Sequence, residues 1–217
     1  MGGAIRVLQQ RVSRYIAFDL SGSVYKAVNI FPDSDKLDIL RANMHTPPFR
    51  KEIFDILFSP RALHHTGNME LALDRLIPSI KKGGILAYSV YSNENNFLMW
   101  GIIEPVKRFA NKFVPRLVLL GISSLLTLLV VAIIRFLYVQ LDRLNLKFLP
   151  LHNFFMVWSK LSFKTIKIGI FDLLHAPFAE YVSDKQIKEW EKEFKLKPIQ
   201  QELLHDTVWG YSAYKNT

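Results

Sequence analysis

The chain of 217 residues is 50% hydrophobic and 22% charged, a balance that supports one substantial core and excludes global disorder. It contains no cysteine, which excludes disulfides, thiolate metal sites and cysteine nucleophiles and fits a reducing cytoplasm. The formal net charge is +9, and nearly all of the excess lies between Gly101 and Lys167, where ten basic residues stand against Glu104 and Asp142.

The opening MGGAIRVLQQRV has no apolar run long enough for a secretory signal, and Arg6 stands where a myristoylation site needs Ser or Thr. From there to Tyr91 helical segments alternate with short apolar runs, the pattern of βα units. A helix over Ala4–Gln10 is entered from Gly2 and Gly3. Tyr15–Phe18 is a short strand ending at Asp19, and Ser21–Ala27 begins a second helix. Leu37–Leu40 is the next strand, closed by Pro47 and Pro48. Ile53–Phe58 is a third, with Asp55 inside it. Asn68 can cap a helix whose Leu71, Leu73, Leu76, Ile77 and Ile80 lie largely on one face. Gly83 and Gly84 are expected to end that helix, with a fourth strand over Ile85–Tyr91.

After Tyr91 the periodicity changes. Residues 93–182 read as an apolar, basic helical insertion, so that 1–92 form the first part of a core and 183–217 complete it. Within the insertion Leu117–Ile134 is an uncharged run of about 18 residues, at the lower edge of what a membrane-spanning helix needs. Beyond it, Ser183 and Gln186 have capping-box spacing for a helix over Asp184–Phe194. Ile199–Leu204 and Thr207–Tyr214 then read as an antiparallel pair of strands.

Four segments, taken in order, resemble class I S-adenosylmethionine-dependent methyltransferases. YIAFDLSGSV (Tyr15–Val24) is similar to the strand whose terminal acid holds the cofactor ribose. RANMHTPPF (Arg41–Phe49) is similar to the adenine-contacting segment, FDILFSPRALHHTGN (Phe54–Asn68) to the following strand with its substrate-side loop, and LIPSIKKGGILAYSVY (Leu76–Tyr91) to the next helix, turn and strand. The resemblance implies a Rossmann-like α/β fold: a mostly parallel sheet with a C-terminal antiparallel hairpin, plus the helical insertion. It implies S-adenosyl-L-methionine as cofactor. Two departures stand out. The family's first strand is missing from the chain as it stands, which begins within the glycine-rich loop at Gly2 and Gly3; a start upstream of Met1, a truncation, or a strand supplied by another chain each accounts for this. Lys82 stands where the family usually has proline.

The resemblance assigns Asp19 to the ribose hydroxyls, a role a carboxylate at the carboxyl end of a parallel strand suits because it can accept both hydrogen bonds. Leu20 and Met44 are candidates to flank the adenine ring, and Asn43 to accept a hydrogen bond from its amino group. Gly2 and Gly3 would support the methionine part, and Ser59 begins the mouth between cofactor and acceptor. His64 or His65 is the candidate general base, since an imidazole titrates near neutrality; Tyr91, Asp172 and His175 are further candidates to face the acceptor. No ligand cluster suggests a metal.

An apolar insertion beside this mouth implies a small hydrophobic or lipid-like acceptor and peripheral membrane association through residues 100–160, in a protein that is cytoplasmic or held at the inner face of a membrane. Nucleic acid is not the expected partner, because the basic residues are interleaved with aliphatic runs instead of polar and aromatic ones. The competing reading is a catalytically inactive or incomplete methyltransferase-like protein associated with a membrane surface or partner.

Overall fold

The computed structural model describes residues 12–31, 35–175 and 179–216. The expected helix over Ala4–Gln10, with Gly2 and Gly3, lies outside them. The first half of the described chain supplies β1 (Tyr15–Asp19), α1 (Ser23–Ile30), β2 (Leu37–Arg41) and β3 (Phe54–Pro60), then α2 (Met69–Leu76) and β4 (Ile80–Tyr91). The C-terminal part supplies α8 (Asp184–Glu193), β5 (Leu196–Leu204) and β6 (Val208–Lys215). Between them run α3 (Glu104–Phe113), α4 (Arg116–Ile133), α5 (Val139–Arg143), α6 (His152–Trp158) and α7 (Phe163–His175), with π-helical turns at Leu98–Ile103 and Ile134–Tyr138.

Hydrogen bonding among the described residues defines two sheets. β1 and β2 are parallel, and the second sheet has the order β3-β4-β6-β5, parallel between β3 and β4 and antiparallel elsewhere. Edge-to-face contacts of Phe49 with Phe18 and with Phe54 join the two sheets (5.1 and 4.9 Å). The core lies on one face of the larger sheet. Leu86, Tyr88 and Val90 alternate inward along β4, as the pleat requires, and meet Tyr211 and Ala213 of β6. α2 covers them with Met69, Ala72, Leu73 and Leu76, a helical stripe at i, i+3, i+4 and i+7, and α8 adds Ile187 and Trp190. Both helices start where the sequence says. Asn68 Oδ1 accepts the Leu71 N–H (2.9 Å), and Ser183 with Gln186 forms the reciprocal capping box.

The glycine pair does something other than expected. The helix ends at Leu76, passes through a tight turn over Ile77–Ser79, and the strand has already begun at Ile80. Two steps along β3, from Phe54 to Ile56, are matched by five along β4, from Ile80 to Ile85, so Gly83 and Gly84 form a bulge within the strand. Gly83 has φ +71°, and a Cβ on Gly84 would stand 2.8 Å from Ile80 Cγ2 and 2.9 Å from the Asp55 carbonyl oxygen. β5 likewise begins at Leu196, three residues before its expected start, with a register shift between Pro198 and Gln200.

The helical segment leaves and rejoins the core at one point. Ser92 and Val182 form a parallel bridge, the Val182 N–H donates to the Tyr91 carbonyl, and the Asn93 N–H donates to that of Val182 (both 2.9 Å). Glu94 fastens this junction. Its carboxylate accepts the Asp184 N–H (2.8 Å), the Ser92 hydroxyl (2.8 Å) and the Trp209 indole N–H (3.0 Å). Burial alone would raise its pKa; these hydrogen bonds outweigh that and hold the group below the usual carboxylate value.

Candidate active site

The parallel register sets Asp19 opposite Arg41, and the Ala42 N–H donates to the Asp19 carbonyl (3.1 Å). The carboxyl ends of β1 and β2 therefore stand side by side, which brings Asp19 and Leu20 to the loop carrying Asn43 and Met44. Asp19 Oδ1 accepts the Ser21 N–H (2.8 Å) in a tight turn, and its second oxygen carries no hydrogen bond among the described residues. Arg41 steadies the turn by donating from Nε to the Leu20 carbonyl (3.0 Å), while the Leu20 side chain is exposed. Asn43 Oδ1 accepts the His45 N–H (2.9 Å) and so shapes its own loop. Met44 packs partly against the main core, so it serves the interior as well as the crevice.

The loop after β2 is tied to the loop after β3. His45 Nε2 lies 3.1 Å from the Asn68 carbonyl oxygen at the start of α2. Ser59, at the end of β3, is buried, and its hydroxyl has no hydrogen-bond partner among the described residues. Glu180 joins the same corner: its carboxylate accepts the Met69 N–H and its own N–H donates to the His64 carbonyl (3.0 and 2.8 Å). Burial raises the Glu180 carboxyl above its usual value, against the opposing Met69 hydrogen bond and the nearby His45.

Beside Ser59 the side chains become aromatic. His64 lies 4.2 Å from His65 and 4.1 Å from Tyr91, ring centre to ring centre, and Tyr91 stacks on Tyr181 at 5.6 Å. His64 is 0% exposed, and neither ring nitrogen has a hydrogen-bond partner among the described residues. Burial first, then the charges of His65, Arg61 and Lys107, pull its pKa down to about 3, so this ring is neutral at physiological pH. His65 is exposed on the same short turn. Burial, with Glu104 and Tyr91 adding to it, raises the Tyr181 hydroxyl. α3 carries a buried ion pair between Glu104 and Lys107 near this corner, the Glu104 charge acting on Tyr181 and the Lys107 charge on His64.

The structure thus gathers Asp19, Leu20, Asn43 and Met44 on one side, with Ser59, His64, His65 and Tyr91 along the neighbouring strand ends. Gly2 and Gly3, and the side chains of Asp172 and His175, lie outside the described residues. Sequence reasoning missed His45, Glu180, Tyr181 and the Glu104–Lys107 pair. Glu180 stands 111 positions from Met69 and Tyr181 stands 90 from Tyr91, and the only signal for the pair is two opposite charges at i, i+3 in an apolar segment. A cofactor with a ribose diol fits this donor set, because among the described residues the strand-end Asp19 retains an accepting oxygen and Ser59 a buried hydroxyl without a partner. Among the described residues no group of three or more His, Asp or Glu could hold a metal ion.

Residues 1–88 match the family model of a methyltransferase domain. No curated protein sequence matches the chain. Among solved structures, a chain of the Haloferax volcanii complex between a methyltransferase and its activator is 12% identical, with a TM-score of 0.58 covering 100% of this chain and 79% of that one. An S-adenosylmethionine-dependent methyltransferase from Aquifex aeolicus is 10% identical, with a TM-score of 0.51 over 99% of this chain and 77% of its own. An O-methyltransferase family 2 protein from Planctomyces limnophilus, solved in complex with apigenin, is 12% identical, with a TM-score of 0.51 over 98% and 47%. At these identities the likeness is one of fold. The methyltransferase-domain match covers residues 1–88, and these structures extend the likeness of fold, that of S-adenosylmethionine-dependent methyltransferases, over the whole chain.

Proposed function

We propose that the chain methylates a small hydrophobic, lipid-like acceptor through an ionisable hydroxyl, at the cytoplasmic face of a membrane. The observation that carries this reading is the aromatic corner of His64, His65, Tyr91 and Tyr181, to which the end of the apolar insertion contributes Tyr181, set beside the strand ends. S-adenosylmethionine supplies an electrophilic methyl group on a sulfonium, so the protein's task is alignment, exclusion of water and removal of one proton. Asp19 would hold the ribose, with Leu20 and Met44 along the adenine and Asn43 at its amino group.

His65 is better suited than His64 to take the acceptor proton. It is exposed on the turn after β3, whereas a ring with a pKa near 3 is a weak base at neutral pH. His64, packed between His65 and Tyr91, fixes the orientation of its neighbour. Tyr91 and Tyr181 offer flat apolar faces to an acceptor ring or unsaturated chain. The apigenin bound to the Planctomyces limnophilus protein is an acceptor-sized aromatic molecule on the same fold, which supports the size class.

The test is methyl transfer from labelled S-adenosylmethionine to a panel of hydroxylated aromatic and isoprenoid compounds, with peptides and RNA as hydrophilic controls. Product is expected with the apolar acceptors, and His65→Ala should lower kcat by about 10²- to 10⁴-fold with KM for the cofactor unchanged. Product confined to the hydrophilic controls would remove the acceptor assignment.

A further inference from the structure

The polarity of α4 is inverted relative to a helix that meets water. The stripe it buries is Leu119, Ser123, Thr127 and, just beyond the helix, Ile134, so two of its four enclosed positions carry hydroxyls. Both hydroxyls are satisfied within the helix: Ser123 donates to the Leu120 carbonyl (2.8 Å) and Thr127 to that of Ser123 (2.6 Å). The outward side is aliphatic and aromatic. Leu125 is 71% exposed, Leu129 56% and Phe136 78%, and no charged residue occurs between Leu117 and Ile134. A water-facing helix places its leucines inward and its hydroxyls outward. Small hydroxyl residues at the helix–helix seam and leucines outside are what a helix against hydrocarbon requires.

The flanks carry the complementary charge. Lys112 before α4 and Arg135, Arg143 and Lys147 after it are exposed. Val106, Phe109 and Phe113 extend the apolar surface along α3. A cavity of about 320 Å³ between α4 and α7 is lined by Leu128, Ile134, Trp158 and Phe163 with Arg135 beside them, an apolar slot next to a cation. So large an exposed apolar face, rimmed by basic side chains, is the signature of an interaction surface.

The helix from Leu117 to Arg143 runs 27 residues, about 40 Å, which is long enough to cross a bilayer. The topology does not allow a single crossing. β4 before the insertion and β6 after it pair in one sheet, and Ser92 is matched with Val182 in a parallel bridge, so the chain returns to the side it left. The return path offers α6 with seven residues and α7 with 13, the latter with Lys164 and Lys167 in it, and neither can cross.

We propose that the insertion docks the protein on an anionic phospholipid bilayer, with α4 lying along the boundary of headgroups and acyl chains, its outward leucines and Phe136 immersed and its basic flanks among the phosphates. This specifies the surface in the acceptor reading but stands on the insertion alone: vesicle binding and methyl transfer can fail independently of one another.

The experiment is flotation of the full chain with phosphatidylcholine vesicles, with and without phosphatidylglycerol, alongside sedimentation velocity without lipid. The protein should float with the anionic vesicles and less with neutral ones, and added salt should weaken the difference. Leu125→Glu with Leu129→Glu should reduce binding on the order of 100-fold, the loss expected for two buried leucines. Both positions are exposed, so unchanged thermal melting should show an intact fold. As a second variant, Arg143→Glu with Lys147→Glu should abolish the preference for anionic vesicles. Failure of the unmodified protein to float, or flotation unaffected by either variant, overturns the proposal. So does a lipid-independent dimer that the two glutamates dissolve, since a second copy would then cover the face.

Discussion

Replacing His64 with leucine should stabilise the fold, and increasingly so as the pH falls. The imidazole is fully enclosed, with both nitrogens unpaired among the described residues. An unsatisfied buried polar group costs about 1–3 kcal/mol, which a leucine of similar size avoids. Against this stands the loss of the ring contacts with His65 and Tyr91, worth roughly 0.5–1.5 kcal/mol. The net gain at neutral pH is about 1 kcal/mol, or a rise in Tm of roughly 2–4 °C for a chain of this length. The pH term is larger. The native ring has a pKa of about 3, against about 6.5 in the unfolded chain. Below pH 6.5 the unfolded state binds a proton that the native state refuses, so wild-type stability falls with pH by about 1.4 kcal/mol per unit. Between pH 7 and pH 5 this amounts to about 2 kcal/mol, and the leucine variant lacks it. Thermal melts of the two proteins at pH 7, 6 and 5 should therefore show a gap that widens steadily toward acid. A constant or narrowing gap would mean that the native ring is protonated or hydrogen-bonded, and the reasoning would fail.

Two smaller perturbations test the framework that positions the site. Ser183→Ala removes the capping box of α8 and should cost about 1 kcal/mol in denaturant unfolding, with the slope m unchanged; an effect below the error of the titration would mean that the cap is idle. Gly84→Ala forces a Cβ against the Asp55 carbonyl and Ile80 within the β3–β4 bulge, and should lower stability by roughly 1–3 kcal/mol, read in the same titration. A neutral result there would show that the bulge can open.

The strands β1 to β4, the two capped helices and the closing hairpin were legible because each rests on local chemistry: a short apolar run, a capping side chain, a turn residue. The glycine pair was misread for an instructive reason. Glycines after a helical stripe can end the helix or kink the next strand, and only the pairing partner decides, here Asp55 of β3 with its carbonyl 2.9 Å from the forbidden Cβ. That Asp19 and Asn43 come together was readable from their places at and just after the strand ends. The difference between His64 and His65 was not. Adjacent in sequence and identical in type, they differ only because one is buried in the fold and the other is exposed. Glu180 and Tyr181 were invisible, since nothing local marks a residue that reaches the site after a long helical excursion. The length of the apolar run in α4 was plain, but which of its residues face inward depended on where α7 packs.

In the proposed function the ends of β1 and β2 hold the adenosine part of S-adenosylmethionine. Calorimetric titration of the full chain with S-adenosylhomocysteine tests it most directly. Saturable binding is predicted, weakened about 10- to 100-fold by Asp19→Ala through loss of a charge-assisted hydrogen bond. No heat of binding to the unmodified protein, or equal affinity in the variant, would contradict the account.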